Sequence, residues 1–401
     1  TTLFRLDPIK EGRLPDSWVG PDDATLPNKV KYLPKRVRVD VAGHKVDVGG
    51  VAAAFIPAPF TFCLACQVSY EQVRGRDFSK LVTLDAEGRS SAISVLSTSL
   101  VRALRDVPAD ELPADARKLL TFVDNRQDAS LQAGHLNDFV QVAQLRGALH
   151  KAMTDAPGGL THEVVAARVV DALGLEFADF AAAPDAVYAA RTRAEKALRE
   201  LVEYRLYLDL QRGWRITMPN LEQTGLLRVG YESLSEIAAD QALWAAAPEP
   251  LRDARDGHRE ELCRIVLDEF RKVLAVDVGC LSLTGFERIQ RQSQQELTGV
   301  WAMPPNEPVA SLGTVFAFSS RPGKGRNDLH LTGRSAMGRY LRRPNQFPGF
   351  AGTLNTDDAQ RLIQEILHVL TRAGILTEVD VDGARGYRLR ASSLVWAAGD
   401  G

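Results

Sequence analysis

The sequence predicts an α+β chain, predominantly helical and divided into several domains, and three observations carry that prediction. Apolar residues recur at helical spacing through much of residues 89–276 and again from 359 to 370. A short apolar run, Lys118 to Val123, passes through a polar turn into a helical pattern, which is the unit of a parallel α/β sheet. Near the end a helix is followed at once by an alternating hairpin, the closing half of a winged helix.

Composition frames these elements. The chain has 401 residues, of which 45% are hydrophobic and 25% charged, as in ordinary globular proteins, so disorder is excluded as its main state. No run reaches the roughly 18 apolar residues that a membrane span needs. Four cysteines are too few for a disulfide scaffold and point to a reducing cytoplasm. The net charge of −2 excludes a surface that coats nucleic acid everywhere, so any such contact is local. The opening, Thr1 to Pro8, lacks an initiator Met and the layout of a signal peptide, and reads as a cut inside a longer chain.

The first segment, 1–60, carries scattered Pro and Gly with short β-like stretches at Arg36–Val41 and His44–Val48. In the second, 61–152, a helix runs from Arg89 to Arg105 between Gly88 and Pro108. After it comes the apolar run to Val123, the turn Asp124-Asn-Arg-Gln127, and a helix with Leu136, Phe139, Val140 and Ala143 on one face. The third, 153–300, is helical, with helices at His162–Leu173, about Ala186–Arg212, Ser233–Ala247 and Leu251–Val276, and short strands at Arg215–Met218 and Leu226–Val229. The fourth, 301–401, opens with a loop-rich stretch, Ala302 to Phe350. After the cap Asn355-Thr356, the residues Ala359, Leu362, Ile363, Ile366, Leu367 and Leu370 mark a helix face up to Gly374. Leu376–Val381, a turn over Asp382–Gly386, and Tyr387–Arg390 make the hairpin.

At 118–140 the helix start aims unpaired N–H groups beyond the sheet edge, and Arg126 adds a planar cation, a combination that suits phosphate. On spacing alone the plainer reading is Asp124 or Asn125 as a cap and Arg126 as a surface ion pair. The wording of the segment adds to this. Leu119 to Val140 closely resembles motif IV, the opening of the second RecA-like domain in very large bacterial superfamily 2 DEAD/DEAH-box helicases. The resemblance extends through Phe62-Cys-Leu-Ala-Cys66 and Leu81 to Ser91 upstream, and through Glu203–Tyr207, Arg212–Arg215 and Pro219–Gln223 downstream, ending near Trp396. Val123 and Leu136 depart from the residues usual there.

That resemblance implies a partial RecA-like α/β unit, a helical insertion domain and a C-terminal winged helix. It also implies a parent chain that couples ATP and Mg to movement on DNA, in repair or anti-phage defence. Asp124, Asn125, Arg126 and Gln127 then contact backbone or the other motor domain. The fragment itself has no Gly-x-x-x-x-Gly-Lys-Ser/Thr, since Pro322-Gly-Lys-Gly325 lacks both spacing and hydroxyl, and it holds none of the late arginine-finger motifs. Hydrolysis therefore requires parts of the parent on both sides. Asp268-Glu269 falls inside a helical run and reads as a solvated helix face.

Cys63 and Cys66 supply half of a tetrahedral zinc site, completed outside the fragment, or are two ordinary thiols. Cys263 and Cys280 read as buried small hydrophobes, His135 as structural, and the seven histidines show no metal spacing. From Arg321 to Pro344 the cations Arg321, Lys324, Arg326, Arg334, Arg339, Arg342 and Arg343 stand against the single acid Asp328, with glycines and Tyr340 between them. With Arg388 of the hairpin they are the expected DNA contacts, a basic arm on the phosphate backbone; the competing reading is a solvated loop. Two further functions stay open: a non-enzymatic scaffold whose winged helix docks protein, and a transcriptional regulator, against which the long middle region and the motif at 118–140 speak.

Overall fold

The computed structural model describes residues 14, 18, 24–57, 88–108, 110–113, 116–119, 141–211, 220–222, 224–310, 312–318, 328–343 and 346–399. Across them the chain is mixed α/β, about half helical, with three small sheets. Strands β1 (Lys35–Val39) and β2 (Val51–Phe55) come first, followed by helices α1 (Gly88–Asp106) and α2 (residues 141–154). Strand β3 (Leu160–Thr161) leads into α3 (His162–Leu173), α4 (Phe177–Phe180) and α5 (Tyr188–Leu210). Next are β4 (Leu227–Tyr231), α6 (Leu234–Ala239), α7 (Gln241–Trp244), α8 (Glu249–Arg252), α9 (Asp256–Lys272), β5 (Val276–Asp277) and α10 (Leu283–Glu296). The last are β6 (Thr314–Phe316), β7 (Asp328–His330), α11 (Ala336–Leu341), α12 (Thr356–Arg372), β8 (Leu376–Val381), β9 (Ala384–Arg390) and β10 (Leu394–Ala398).

Helices with a strong apolar stripe form where their spacing places them: α3 spans the expected residues and stops at Gly174, whose φ of +63° favours glycine. The expected helix Ser233–Ala247 is instead broken at Asp240, whose side chain accepts a 2.9 Å bond from the Ala242 N–H and so starts α7. The one expected from Leu251 is likewise divided, with α8 ending before α9 begins at Asp256. Helix α10 carries no expectation from the sequence, because Phe286 and Ile289 are its only large buried apolar residues. The partner of β1 is β2, and the stretch at 44–48 contributes only a bridge, Val39 to Lys45. The loop-rich stretch from Ala302 holds β6, β7 and α11, each too short to show a period. The expected strand at 215–218, and residues 120–140 with their motif, lie outside the described residues.

Contacts divide the chain into two compact units, each gathered from three segments. One comprises Thr1–Ser79, Tyr231–Asp277 and Ser311–Ser393; the other comprises Lys80–Gly230, Val278–Ala310 and Leu394–Gly401. In the latter, α5 packs against α3 and α10, burying Leu198, Leu201, Tyr204 and Tyr207, and the sheet runs in the order β3-β10-β4. Trp396 of β10 is fully buried and meets the Tyr207 ring edge-on at 5.8 Å. Asp209 accepts from Arg146 Nη2 at 2.6 Å and Nε at 3.1 Å, a buried pair whose charges are matched in place.

In the former unit, β9 is the central strand: β8 and β6 pair with it antiparallel and β5 parallel, with β7 beyond β6. The core is the apolar face of α12 and that of α9, which includes Leu262, Val266 and Phe270. Arg259 is fully buried there and donates to the carbonyls of Leu251 (2.9 Å), Ala238 (3.1 Å) and Arg252 and to Gln241 Oε1 (3.0 Å). One guanidinium thus satisfies the carbonyls that α6 and α8 leave open at their ends.

Candidate nucleic-acid interface

Helix α12 and the β8–β9 hairpin are fixed by local chemistry. Asn355 Oδ1 accepts from the N–H groups of Asp357 (2.8 Å) and Asp358 (2.9 Å), and the Asp358 carboxylate accepts from the Asn355 N–H at 3.1 Å, closing a capping box. Ala359, Leu362, Ile363, Ile366, Leu367 and Leu370 are buried, so the helix has one apolar face and one outward face. The outward face is a stripe of Asp357, Arg361, Gln364, His368 and Arg372, all exposed. The hairpin turns on two residues, Asp382 (φ 53°) and Gly383 (φ 77°), the left-handed pair of a type I′ turn. This is tighter than the five-residue turn expected from the sequence. Gly386 lies inside β9, where a Cβ would stand 2.4 Å from Thr314 Cγ2 on the neighbouring strand.

The basic residues expected to form a DNA-binding arm do not share one environment. Arg334 is exposed. Arg339, expected on the surface, is only 8% exposed and donates to the backbone carbonyls of Arg334 and Leu14, both at 3.0 Å. It sits in the last turn of α11, facing the core, and holds two chain segments together. Arg342 and Arg343 are half-buried, and the Arg343 guanidinium lies 4.4 Å from the centre of the Tyr340 ring. Tyr340 donates its hydroxyl to Glu261 Oε1 at 2.9 Å, and burial pushes its pKa up. Arg388 is half-buried and donates to Thr314 Oγ1 at 3.3 Å; desolvation lowers its pKa against the pull of Asp277 and Asp328. Arg321, Lys324, Arg326, Asp124, Asn125, Arg126, Gln127, Cys63 and Cys66 lie outside the described residues.

No protein-family model, curated protein or solved structure matches this chain. The arrangement is therefore read from its own chemistry. Among the described residues no group of His, Cys, Asp or Glu could hold a metal ion. Cys263 and Cys280 are buried free thiols, packed as small hydrophobes, and burial raises both pKa values, that of Cys263 to about 12. Asp268 is not a solvated helix face alone: it accepts from the Tyr231 hydroxyl at 2.7 Å and from Arg271 Nη2 at 2.6 Å. No described helix is long and apolar enough to cross a membrane.

What remains is the outward stripe of α12 beside a tight hairpin. Arg361, Gln364, His368 and Arg372 were not among the residues singled out from sequence. The signal was present as the complement of the apolar face, because residues three and four apart share one side of a helix. Clustered cations at 321–343 are the stronger signal in sequence, but burial removes Arg339 from that cluster.

Proposed function

We propose that this chain is the nucleic-acid-gripping part of an ATP-driven DNA helicase, and that its contact element is a winged helix built from α9, β6, α11, α12, β8 and β9. The observation that carries this reading is the order and pairing of those elements. Helix α9, strand β6, helices α11 and α12 and the antiparallel hairpin β8–β9 come in that chain order, with β5 and α10 between α9 and β6 and β7 between β6 and α11; the strands stand in the order β8-β9-β6, and α12 turns one polar stripe outward. An element of this kind lays its second helix in the major groove, where Arg pairs with guanine and Gln with adenine edges. Arg361, Gln364 and Arg372 are the readers, and Arg334 with Arg342 and Arg343 lies toward the phosphates.

The resemblance of residues 119–140 to motif IV supports the motor context. On this reading Asp124, Asn125, Arg126 and Gln127 meet the DNA backbone or the partner motor domain, and the parent chain supplies the ATP and Mg site. The fragment alone hydrolyses nothing and works in a bacterial cytoplasm, in repair or anti-phage defence. Cys63 and Cys66 offer two zinc ligands to a site completed by the parent.

Fluorescence anisotropy of the full chain on a labelled DNA duplex tests the reading. Affinity should fall steeply as salt rises, and Arg361→Glu with Arg372→Glu should weaken binding by about tenfold or more. An unchanged affinity and salt slope in that variant would sink it. A second reading is favoured by one observation: the helix and hairpin are nearly neutral. Asp357, Asp358 and Glu365 offset Arg361 and Arg372, and Glu378, Asp380 and Asp382 offset Arg385, Arg388 and Arg390. That balance suits a protein-docking module of a larger scaffold, and absence of duplex binding even at low salt would select it.

A further inference from the structure

Strands β1 and β2 pair with each other as a two-stranded ribbon. No residue from 35 to 57 is buried, although a two-stranded hairpin alone is marginal in water. Its tip is nonetheless well built. Asp40 Oδ1 accepts from the N–H groups of Ala42 (2.9 Å) and His44 (2.8 Å), and the Val46 N–H donates to the Arg38 carbonyl at 2.9 Å. The Arg38 guanidinium donates to the carbonyls of Gly49 and Gly50, the latter at 2.9 Å. Gly50 has a φ of +63°, and a Cβ there would stand 2.4 Å from the Val39 carbonyl oxygen. Before the ribbon, buried Trp18 packs with Leu14, Tyr32 and Leu33.

Charge is concentrated on this element. Residues 24–57 hold six cations, Lys29, Lys31, Lys35, Arg36, Arg38 and Lys45, against Asp40 and Asp47, in a chain whose net charge is −2. Cross-strand partners share a face, so the register assigns the cations to both sides. Lys35 and Lys45 lie with Val37, Val39, Val51 and Phe55; Arg36 and Arg38 lie with Ala52 and Ala54. A membrane-surface element gathers its apolar residues on one face and its cations on the opposite one, whereas Lys35 and Lys45 share the face of Val51 and Phe55. A groove lined by phosphates on both walls favours cations on both faces.

We propose that the β1–β2 ribbon inserts into the major groove of duplex DNA, with Lys35, Arg36 and Lys45 reaching the phosphate walls and the exposed Val51 and Phe55 meeting base edges. The groove, about 12 Å wide, admits a two-stranded ribbon whose strands lie about 4.8 Å apart. The proposal shares its ligand class with the reading above and rests on it in that respect, but the site is separate.

The test measures salt-dependent binding of the full chain to duplex DNA, to single strands and to anionic vesicles. With Lys35→Ala, Arg36→Ala and Lys45→Ala combined, the slope of log affinity against log salt on duplex should become shallower by about 0.9 for each phosphate that is no longer neutralised. Lys35→Arg with Lys45→Arg should keep the wild-type slope, and circular dichroism should show both variants folded. An unchanged slope in the alanine variant overturns the proposal. So does a slope change of equal size on single strands, or an effect confined to vesicles. Loss of duplex affinity through Arg361 and Arg372 but not through the ribbon leaves the winged-helix reading standing and removes this one; the reverse pattern does the opposite.

Discussion

Single side chains in this protein act mostly by settling backbone groups that the fold leaves open. Arg259 does so for α6 and α8, and Arg339, which the sequence places on the surface, does so for the carbonyls of Arg334 and Leu14; both are buried. His258 shows the electrostatic side of the same scale. It stands edge-on to Phe347 with ring centres 5.4 Å apart, and desolvation holds its pKa below the ordinary imidazole value, with Glu261 pulling the other way. The folded state therefore favours the neutral ring. Its contribution to stability is present above the unfolded value near 6.5 and is lost as pH falls toward and through the lower folded value. Thermal melts of the wild type and His258→Asn between about pH 7.5 and about pH 5 should show the wild type losing more stability on acidification. A difference that stays constant across that range would refute the assignment.

At the level of elements, caps and close approaches decide where helices begin and how near they come. Gly333 lies where a Cβ would stand 1.9 Å from the Thr356 carbonyl oxygen, and its N–H donates to Gln360 Oε1 at 3.0 Å. The chain ahead of α11 can therefore approach the start of α12 only through a glycine. Gly333→Ala should destabilise the protein by about 1–3 kcal/mol in urea unfolding, through overpacking. Gly147 sits in α2 with nothing within 4 Å of a Cβ, so Gly147→Ala should be neutral or stabilising by up to about 1 kcal/mol. Equal effects at the two positions would rule out steric approach as the cause. The elements also show what a sequence discloses well. The cap Asn355, the apolar face of α12 and its stop at Gly374 are local signals that the structure keeps, while the turn expected over Asp382–Gly386 tightens to Asp382-Gly383. The breaks at Asp240 and before Asp256 were hidden because apolar spacing continues across them while the backbone turns.

Across the whole molecule, each compact unit is gathered from three stretches of chain, so the last strand matters to a unit most of whose residues precede it by more than 150 positions. Strand β10 runs between β3 and β4, and its Trp396 is fully buried. Trp396→Ala should cost about 3–5 kcal/mol, read as a lowered melting temperature, and ending the chain at Ser393 should expose apolar surface to a hydrophobic dye. A truncated chain that melts like the wild type would show that β10 is dispensable. By itself the sequence determined the mixed α and β class, the reach of α1, α3, α5 and α12, and the hairpin after α12, because helix period, caps and turn chemistry act between residues a few positions apart. Only the tertiary structure decided that the chain re-enters both units, that β1 pairs with residues 51–55, that Arg339 is buried while Arg361 and Arg372 face outward, and that cations occupy both sides of the β1–β2 ribbon. Those outcomes depend on which distant segments meet, and burial, which sorts one arginine from another, exists only once they have met.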